Sequence, residues 1–520
     1  MKSYYRSLCF IRAFPDSLLH YRAARREINR FVAHVESIGS DGRSALADTG
    51  IEGTRVHYRF SYEVALWIAL RCPDAVEIDW REFENFERLT EILRHIVLPA
   101  EADYYDSGRI SDRKWITQAK GGHRVTDFTW LMEQLRKRRT MKEYWAGMYD
   151  AADFPLSWQL GSNFAKGRNA LSLEPIKARQ RGMRRLKGNA IGVITRPLRS
   201  IRHLTRSQGV KAITAAMGAL TVRHRETYHF NHANPAEVYA ADVDEGVQIV
   251  VYGLLPEYRF SLETTMGYLI VANGMPIGYG GASAIFHQAN TGINIFEEYR
   301  GSEAAYLWGQ VLRTYHHLFG CKHFVINPYQ IGAGNTEALR SGAFWFYYRL
   351  GFRPAIRDIT RLASAENAKM KACNNYRTDL KTLKRLTQCD MHLRLRGAKI
   401  DEYFEEGWLE TCAAGATDIL ARQNAVERHA AAQEVANKLL RELGEETYSH
   451  WSRHEQRALL QQAPLISLVP DLKQWSKTER KKLIDLIRAK GGGCEKDYIN
   501  RMRKHERLHW SLTKYCQSIR

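Results

Sequence analysis

Residues 292–319 read GINIFEEYRGSEAAYLWGQVLRTYHHLF, and this stretch decides the fold class of the central part of the chain. Its β-branched and aromatic residues predict a strand over residues 292–296, and small residues then form a tight turn. Apolar residues at helical spacing predict a helix from Ala304 to Phe319. A strand that passes through a short turn into a helix is typical of an α/β domain.

The neighbouring sequence continues the pattern of strands and helices. Asn273-Gly274 predicts a type I′ hairpin, because both central residues of that turn need a positive φ. An antiparallel start followed by β-α-β-α predicts an α/β fold, a mixed sheet flanked by helices. The predicted strands cover residues 247–252, 267–272, 277–286 and 321–326, and a further helix covers residues 336–350.

The rest of the chain divides by composition and periodicity. We predict a mainly helical N-terminal domain (1–174), a basic linker (175–225), the α/β domain (226–360) and a helical, basic C-terminal region (361–520). The linker holds thirteen Lys or Arg residues and no Asp or Glu. It is either a solvated connector or a strip that binds nucleic acid or phosphate. Within the C-terminal region, Thr417 is predicted to cap a long helix that ends at Gly444.

Composition bounds the class of protein. The 520 residues carry a formal net charge of +20, which favours an anionic partner. The eight cysteines form no C-x-x-C pair, which argues against a disulfide scaffold and a structural zinc site. No apolar run approaches the roughly 20 residues that span a bilayer, and the N-terminus lacks a secretory signal pattern. We therefore expect a cytoplasmic protein with no membrane span.

The turn before the predicted helix 304–319 has the features of a phosphate site. Gly301, Ser302, Ala304 and Ala305 are small enough for backbone N–H groups to approach a ligand closely, and a helix presents its positive end to an anion. Arg300 adds a cation at the rim. A purely structural turn remains the alternative.

Two motifs then resemble a known family. Arg300-Gly-Ser-Glu-Ala-Ala305 is similar to the acyl-CoA turn Q/R-x-x-G-x-G/A of the GNAT (general N-acetyltransferase) superfamily. Ala343-Phe-Trp-Phe-Tyr347-Tyr-Arg-Leu-Gly351-Phe352 resembles the later helix of that superfamily, A-x-x-x-Y-x-x-x-G-F. The resemblance covers about residues 212–360 and implies a GNAT-like sheet.

The resemblance implies acetyl-CoA or another acyl-CoA as co-substrate, and Tyr347 as the general acid that protonates the departing thiolate. Strand backbone would pair with the pantetheine arm, and the turn would hold the pyrophosphate. No metal site is expected. The implied cofactor-binding residues are Ile295, Phe296, Glu297, Arg300, Gly301, Ser302, Glu303, Ala304, Ala305 and Asn335.

This sequence departs from the family pattern in three places. Glu303 replaces a glycine of the turn, and its carboxylate repels pyrophosphate unless it points away or pairs with a cation. Asn335 lies about one turn upstream of the usual asparagine position. The strand 292–296 offers no carboxylate as a base; His287 and Glu263 are the nearest candidates, and the base is not assigned.

The leading functional hypothesis is an acyl-CoA-dependent N-acyltransferase that acts on an unidentified amine. One alternative is a transferase that takes aminoacyl groups from tRNA and docks RNA through residues 175–225 and 473–520. Another is a catalytically degenerate GNAT fold that serves as a scaffold or acyl-CoA sensor. The motifs G-x-x-x-x-G-K-S/T, H-E-x-x-H and G-x-S-x-G are absent, which argues against a P-loop nucleotide hydrolase, a zinc protease and a nucleophile-elbow hydrolase.

Overall fold

The computed structural model describes residues 1–519 apart from Arg181, Met183, Arg185, Lys187, Ser302, residues 399–402 and Asn424. Ser302, a predicted phosphate contact, therefore lies outside the described residues. The strands are β1 (Arg55–Tyr58), β2 (Val76–Ile78), β3 (Leu156–Gln159), β4 (Ser200–His203), β5 (Ala233–Asp244), β6 (Val247–Leu254), β7 (Thr264–Ala272), β8 (Met275–Ile285), β9 (Gln288–Thr291), β10 (Asn294–Ile295), β11 (His323–Ile326), β12 (Arg353–Pro354) and β13 (Met391–Arg394).

The helices lie before, between and after these strands. They are α1 (Lys2–Ala13), α2 (Leu18–Ser37), α3 (Gly39–Ser44), α4 (Tyr62–Arg71), α5 (Phe86–Arg94), α6 (Ala102–Asp106), α7 (Asp112–Lys120), α8 (Asp127–Lys137), α9 (Lys142–Ala152), α10 (Ile191–Ile194), α11 (Arg206–Thr221), α12 (Tyr228–Asn231), α13 (Ala304–Phe319), α14 (Pro328–Ile331), α15 (Thr336–Ser341), α16 (Ala343–Arg349), α17 (Arg357–Ala372), α18 (Leu380–Leu386), α19 (Glu406–Ala421), α20 (Arg428–Leu443), α21 (Arg453–Ile466), α22 (Lys477–Lys490), α23 (Glu495–Arg503) and α24 (Glu506–Ile519).

The chain forms two compact units. Unit 1 consists of Met1–Ala178, Ile213–Asn231 and Asn273–Pro276. It is mainly helical, with a small antiparallel sheet in the order β1-β3-β2. Several of its helices bury an apolar stripe; α5, for example, buries Leu89, Ile92 and Leu93.

Unit 2 consists of Arg179–Ala212, His232–Ala272 and Ile277–Arg520. A large mixed sheet, flanked by helices, runs in the order β4-β5-β6-β7-β8-β9-β11-β13-β12, with β10 paired to β8. Among the described strands of this sheet, β9 and β11 are the parallel pair. The predicted mixed α/β sheet is therefore observed.

Local predictions agree closely with several elements. Asn273 and Gly274 have φ values of 47° and 82°, as a type I′ turn requires. Helix α13 begins and ends at the predicted residues. The predicted helix 336–350 is instead two helices, because Gly342 adopts a left-handed φ of 70° and ends α15.

The predicted strand 292–296 is not continuous. Strand β9 ends at Thr291, and β10 begins at Asn294. The break coincides with a crowded point: the hydroxyl of Tyr268 donates to the carbonyl of Gly292, 2.5 Å away. A Cβ at Gly292 would also lie 2.6 Å from the side chain of Gln330. A larger residue at position 292 would therefore require the end of the Gln330 side chain to move.

The basic segment 175–225 differs from the predicted linker. It contributes the edge strand β4, which pairs with β5, and it forms α10 and α11. The apolar side chains Ile194, Leu204, Ala212 and Ala216 are buried. The segment was predicted to be a basic linker, but burial of these apolar side chains stabilises it as regular secondary structure.

The C-terminal region is helical as predicted, but Thr417 lies inside α19 and does not cap a helix. The helix that ends at Gly444 is α20, and Glu427 caps it by accepting from the N–H groups of His429 and Ala430. No described helix is both long and apolar enough to cross a bilayer.

A cluster of four charges lies inside unit 2. Glu237, Arg259, Lys490 and Glu495 have side chains that are at most 1% exposed. Arg259 lies 3.2 Å from Glu237 and 3.7 Å from Glu495, and Lys490 lies 2.6 Å from Glu495. Two positive and two negative charges balance, which is the condition for burying ions at all.

Candidate functional site

The parallel strands β9 and β11 separate at one edge of the sheet. Their pairing runs from Gln288↔His323 to Asn290↔Val325 and stops there. Further along, β10 pairs with β8 alone, while Ile326 pairs with Met391 of β13. Two backbone edges therefore face each other without the ladder hydrogen bonds that would close them, and such an edge can accept an extended ligand.

Backbone direction decides which predicted residues face this gap. The N–H of Phe296 donates to the carbonyl of Ile277 at 3.0 Å, so it belongs to the β8 side. Because backbone groups alternate along a strand, the N–H and C=O of Ile295 point the other way. The carbonyl of Glu297 accepts from the N–H of Arg300 in a short turn. Ile295 therefore remains a candidate contact for the pantetheine arm. The backbone N–H of Phe296 is directed away from the gap and is not a candidate.

The predicted phosphate turn leads into a long helix. Residues Glu297–Tyr299 form one 3₁₀ turn, and α13 follows from Ala304, with Glu303 as its N-cap residue. The first N–H groups of a helix lack partners within it and attract anions. A Cβ on Gly301 would meet no atom within 4 Å, so the turn is open at that point.

Glu303 does not stand alone at this helix terminus. Arg179 Nη2 lies 2.7 Å from its Oε2, and the backbone N–H of Arg184 donates to its Oε1 at 2.8 Å. The Arg179 and Glu303 side chains are only 11% and 14% exposed. The carboxylate is therefore paired with a cation from the basic segment, which is the condition under which it need not repel a phosphate.

Arg300 is the cation at the rim. Its Nε donates to the carbonyl of Ile295 at 3.3 Å, and its Nη2 lies 3.4 Å from Glu337. Both side chains are mostly exposed, and an exposed ion pair contributes only about 0–1 kcal/mol. Arg300 can thus exchange these contacts for a phosphate at little cost.

Tyr347 on α16 lies against the point where the strands separate. Its hydroxyl lies near the backbone N–H of Ile293, one of the two residues between β9 and β10, and this N–H opposes the rise in the pKa of Tyr347. Burial raises the pKa of Tyr347 well above its ordinary value, so the phenol is protonated at neutral pH. Edge contacts with Trp308 and Phe352, at centroid distances of 6.2 and 5.8 Å, hold the ring.

Other candidates from the sequence take ordinary roles or lie elsewhere. Asn335 caps α15 by accepting from the N–H of Ala338 at 3.0 Å. His287 precedes β9 and is thus at the opposite end of that strand from Ile293. Glu263 precedes β7, and its carbonyl accepts from Lys490. Neither residue is assigned as the base.

Sequence reasoning missed a second cluster, around β13. His323 Nε2 and His392 Nδ1 are 2.9 Å apart, and Asp390 accepts from the hydroxyl of Tyr403 at 2.8 Å. Burial lowers the pKa of His323 to about 3 and that of His392 to about 4, so the pair is neutral at pH 7. The alternation of Asp390, His392 and Arg394 is the sequence signal that points to one shared face.

Within the described residues, no three or more His, Cys, Asp or Glu side chains group closely enough to hold a metal ion.

Comparison with protein-family models, with curated proteins and with solved structures finds no match for this chain.

Proposed function

We propose that this chain is an acyl-CoA-dependent N-acyltransferase of GNAT type, with acetyl-CoA as the donor. The observation that carries the proposal is one juxtaposition in unit 2. The gap between β9 and β11, the open turn before α13 and the hydroxyl of Tyr347 all lie along residues 293–304. An extended thioester needs these three features: an edge for its arm, an anion site for its phosphates and an acid for its sulfur.

The reaction is a direct transfer. The lone pair of the amine nitrogen forms a C–N bond to the thioester carbonyl carbon, and the C–S bond breaks with its electron pair going to sulfur. Tyr347 gives its proton to the thiolate, and a proton from the attacking nitrogen replaces it. The products are the amide and free CoA. A buried, protonated phenol suits this role, because it donates without first taking up a proton.

Gly301 allows a sharp test of cofactor binding. We expect Gly301→Glu to weaken acetyl-CoA binding at least tenfold in calorimetric titration, because it adds a negative charge at the phosphate turn. Gly301→Ala is the matched control: a Cβ meets open space there, so its affinity should stay within twofold of the wild type. Folded wild-type protein that does not bind acetyl-CoA would overturn the proposal.

A second candidate function, RNA docking, has one observation in its favour. Trp510 on α24 is 52% exposed, and Arg507 and Lys514 lie 5.2 and 4.8 Å from its ring centroid. An exposed indole between cations can stack on a base. If the protein docks RNA, its affinity for RNA should fall steeply as the salt concentration rises and should also fall in the Trp510→Ala variant. Absence of RNA binding at physiological salt would contradict this second function.

A further inference from the structure

A cavity of about 690 Å³ lies beside β13 in unit 2. Its lining includes Asp390, His392 and Arg394, together with Tyr403 and Pro328. Alternate residues of an extended segment point to one face, so the three polar side chains of β13 and its preceding residue share a single wall. The volume suits a small organic ligand.

Polar atoms in this wall lack partners. His392 is 7% exposed, and its Nε2 has no hydrogen-bond partner in the described part of the chain. The Nε of Arg394 is likewise buried without a partner there. A buried donor without a partner carries a desolvation cost of roughly 1–3 kcal/mol unless a ligand or water satisfies it. These two nitrogen atoms are therefore available to hydrogen-bond with a polar ligand.

The charged side chains of this wall indicate which charges the ligand carries. Arg394 is a fixed cation with a planar fork that matches a carboxylate. Asp390, which accepts from Tyr403, is the acidic group at the other end of the row. The histidine pair between them is neutral. Residues four apart on a strand are about 13 Å apart between Cα atoms, so the complementary charges on the ligand must also be well separated.

The cavity lies beside the end of β11 at which the strands separate. Strand β11 pairs with β9 as far as Val325 and ends at Ile326. Pro328, two residues further along the chain, lines the cavity. The backbone N–H of Ile293, just after the end of β9, lies near the hydroxyl of Tyr347. Both features therefore lie at the C-terminal ends of the parallel strands β9 and β11.

We propose that this cavity binds the amine acceptor, and that the acceptor is an extended zwitterion with its amino group at Asp390 and its carboxylate at Arg394. The identity of the ligand as acceptor rests on the proposed acyltransferase function; its binding does not. The ammonium gives one proton to Asp390, which frees the nitrogen lone pair for attack on the thioester. That proton passes to solvent when the amide leaves.

The binding test uses ligands that differ at one end. Full-length protein is titrated with 6-aminohexanoate, and with hexylamine and hexanoate as probes that lack the carboxylate or the amine. We expect both one-ended probes to bind at least tenfold more weakly than 6-aminohexanoate. Equal affinity for all three, or no binding of 6-aminohexanoate, would overturn the proposal on the wild-type protein alone.

Variants then assign the two ends. Arg394→Met keeps the length of the side chain and should abolish the preference for 6-aminohexanoate over hexylamine, while Asp390→Asn should abolish its preference over hexanoate. Arg396→Met is the matched control, because Arg396 is exposed and does not line the cavity. A preference that survives in the Arg394→Met protein would contradict the assignment.

Transfer assays with acetyl-CoA separate the two proposals. In one outcome, 6-aminohexanoate binds in a manner that depends on Arg394 but is not acetylated. This result would support the proposed cavity site and contradict the proposed acyltransferase function. In the other outcome, hexylamine is acetylated as fast as 6-aminohexanoate, and Arg394→Met changes neither rate. This result would support the acyltransferase function and contradict the zwitterion site.

Discussion

The buried charge cluster of unit 2 gives the sharpest prediction about stability. Arg259 ties the cluster together: besides its two carboxylate partners, its Nη1 donates to the carbonyls of Lys490 and Gly492 at 2.9 and 2.6 Å. Arg259→Met removes one positive charge and keeps the stem. Glu237 and Glu495 then remain buried with Lys490 as the single cation.

The magnitude follows from this imbalance. Removing one partner of a buried ion pair costs about 3–5 kcal/mol, because the other charge stays behind without compensation. Burial already raises the pKa of Glu237, and Arg259 opposes that rise. Without Arg259 the pKa rises further, so the folded variant binds more protons than the unfolded chain above pH 4.5. The destabilisation should therefore grow as pH increases.

Urea unfolding at pH 5 and pH 8 measures both effects, and hydrogen exchange localises them to β5, α22 and α23. The double variant Arg259→Met, Glu237→Leu removes one charge of each sign, so we expect it to recover much of the lost stability. A loss below about 1 kcal/mol for Arg259→Met, or a double variant as unstable as the sum of two single changes, would refute the reasoning.

Other predictions concern the site and its supports. Tyr347→Phe should lower the acetyl transfer rate about 10²-fold or more while acetyl-CoA affinity changes little, as separate kinetic and calorimetric measurements would show; an equal loss in both would mean a packing role only. Between pH 6.5 and about 4 the unfolded chain binds protons that buried His323 and His392 do not, so stability should fall as pH drops through this window in urea unfolding. A flat profile would mean that the pair is already protonated when folded. Asn335→Ala should cost about 1 kcal/mol in the same assay through loss of the α15 cap, with Asn335→Asp nearly neutral.

The pairing of Glu303 bears on the alternative of a degenerate site. A glutamate in the predicted phosphate turn was the main reason to expect weak binding. Arg179 and the N–H of Arg184 occupy both of its carboxylate oxygens. Arg179→Ala should therefore weaken acetyl-CoA binding by releasing that charge, whereas Glu303→Gln should not weaken it; calorimetric titration of the two variants decides the point.

The sequence by itself determined the elements whose signals are local. The bounds of α13, the positive φ values of Asn273 and Gly274 and the cap at Asn335 all depend on residues within one turn or one helical repeat. Their hydrogen bonds close over three or four residues, so the nearby side chains suffice to predict them. The mixed α/β class followed from the order of such elements.

Only the tertiary structure decided the site. At the point where β9 and β11 separate, Gly292 accepts a hydrogen bond from Tyr268 and lies close to the side chain of Gln330, and both partners are distant in the sequence. Arg179 reaches Glu303 across 124 positions, and His323 reaches His392 across 69. Contacts at such separations depend on how strands pair and helices pack, and no spacing within a single segment encodes them. For this reason the basic segment was interpreted as a linker, and the cavity at β13 was not predicted at all.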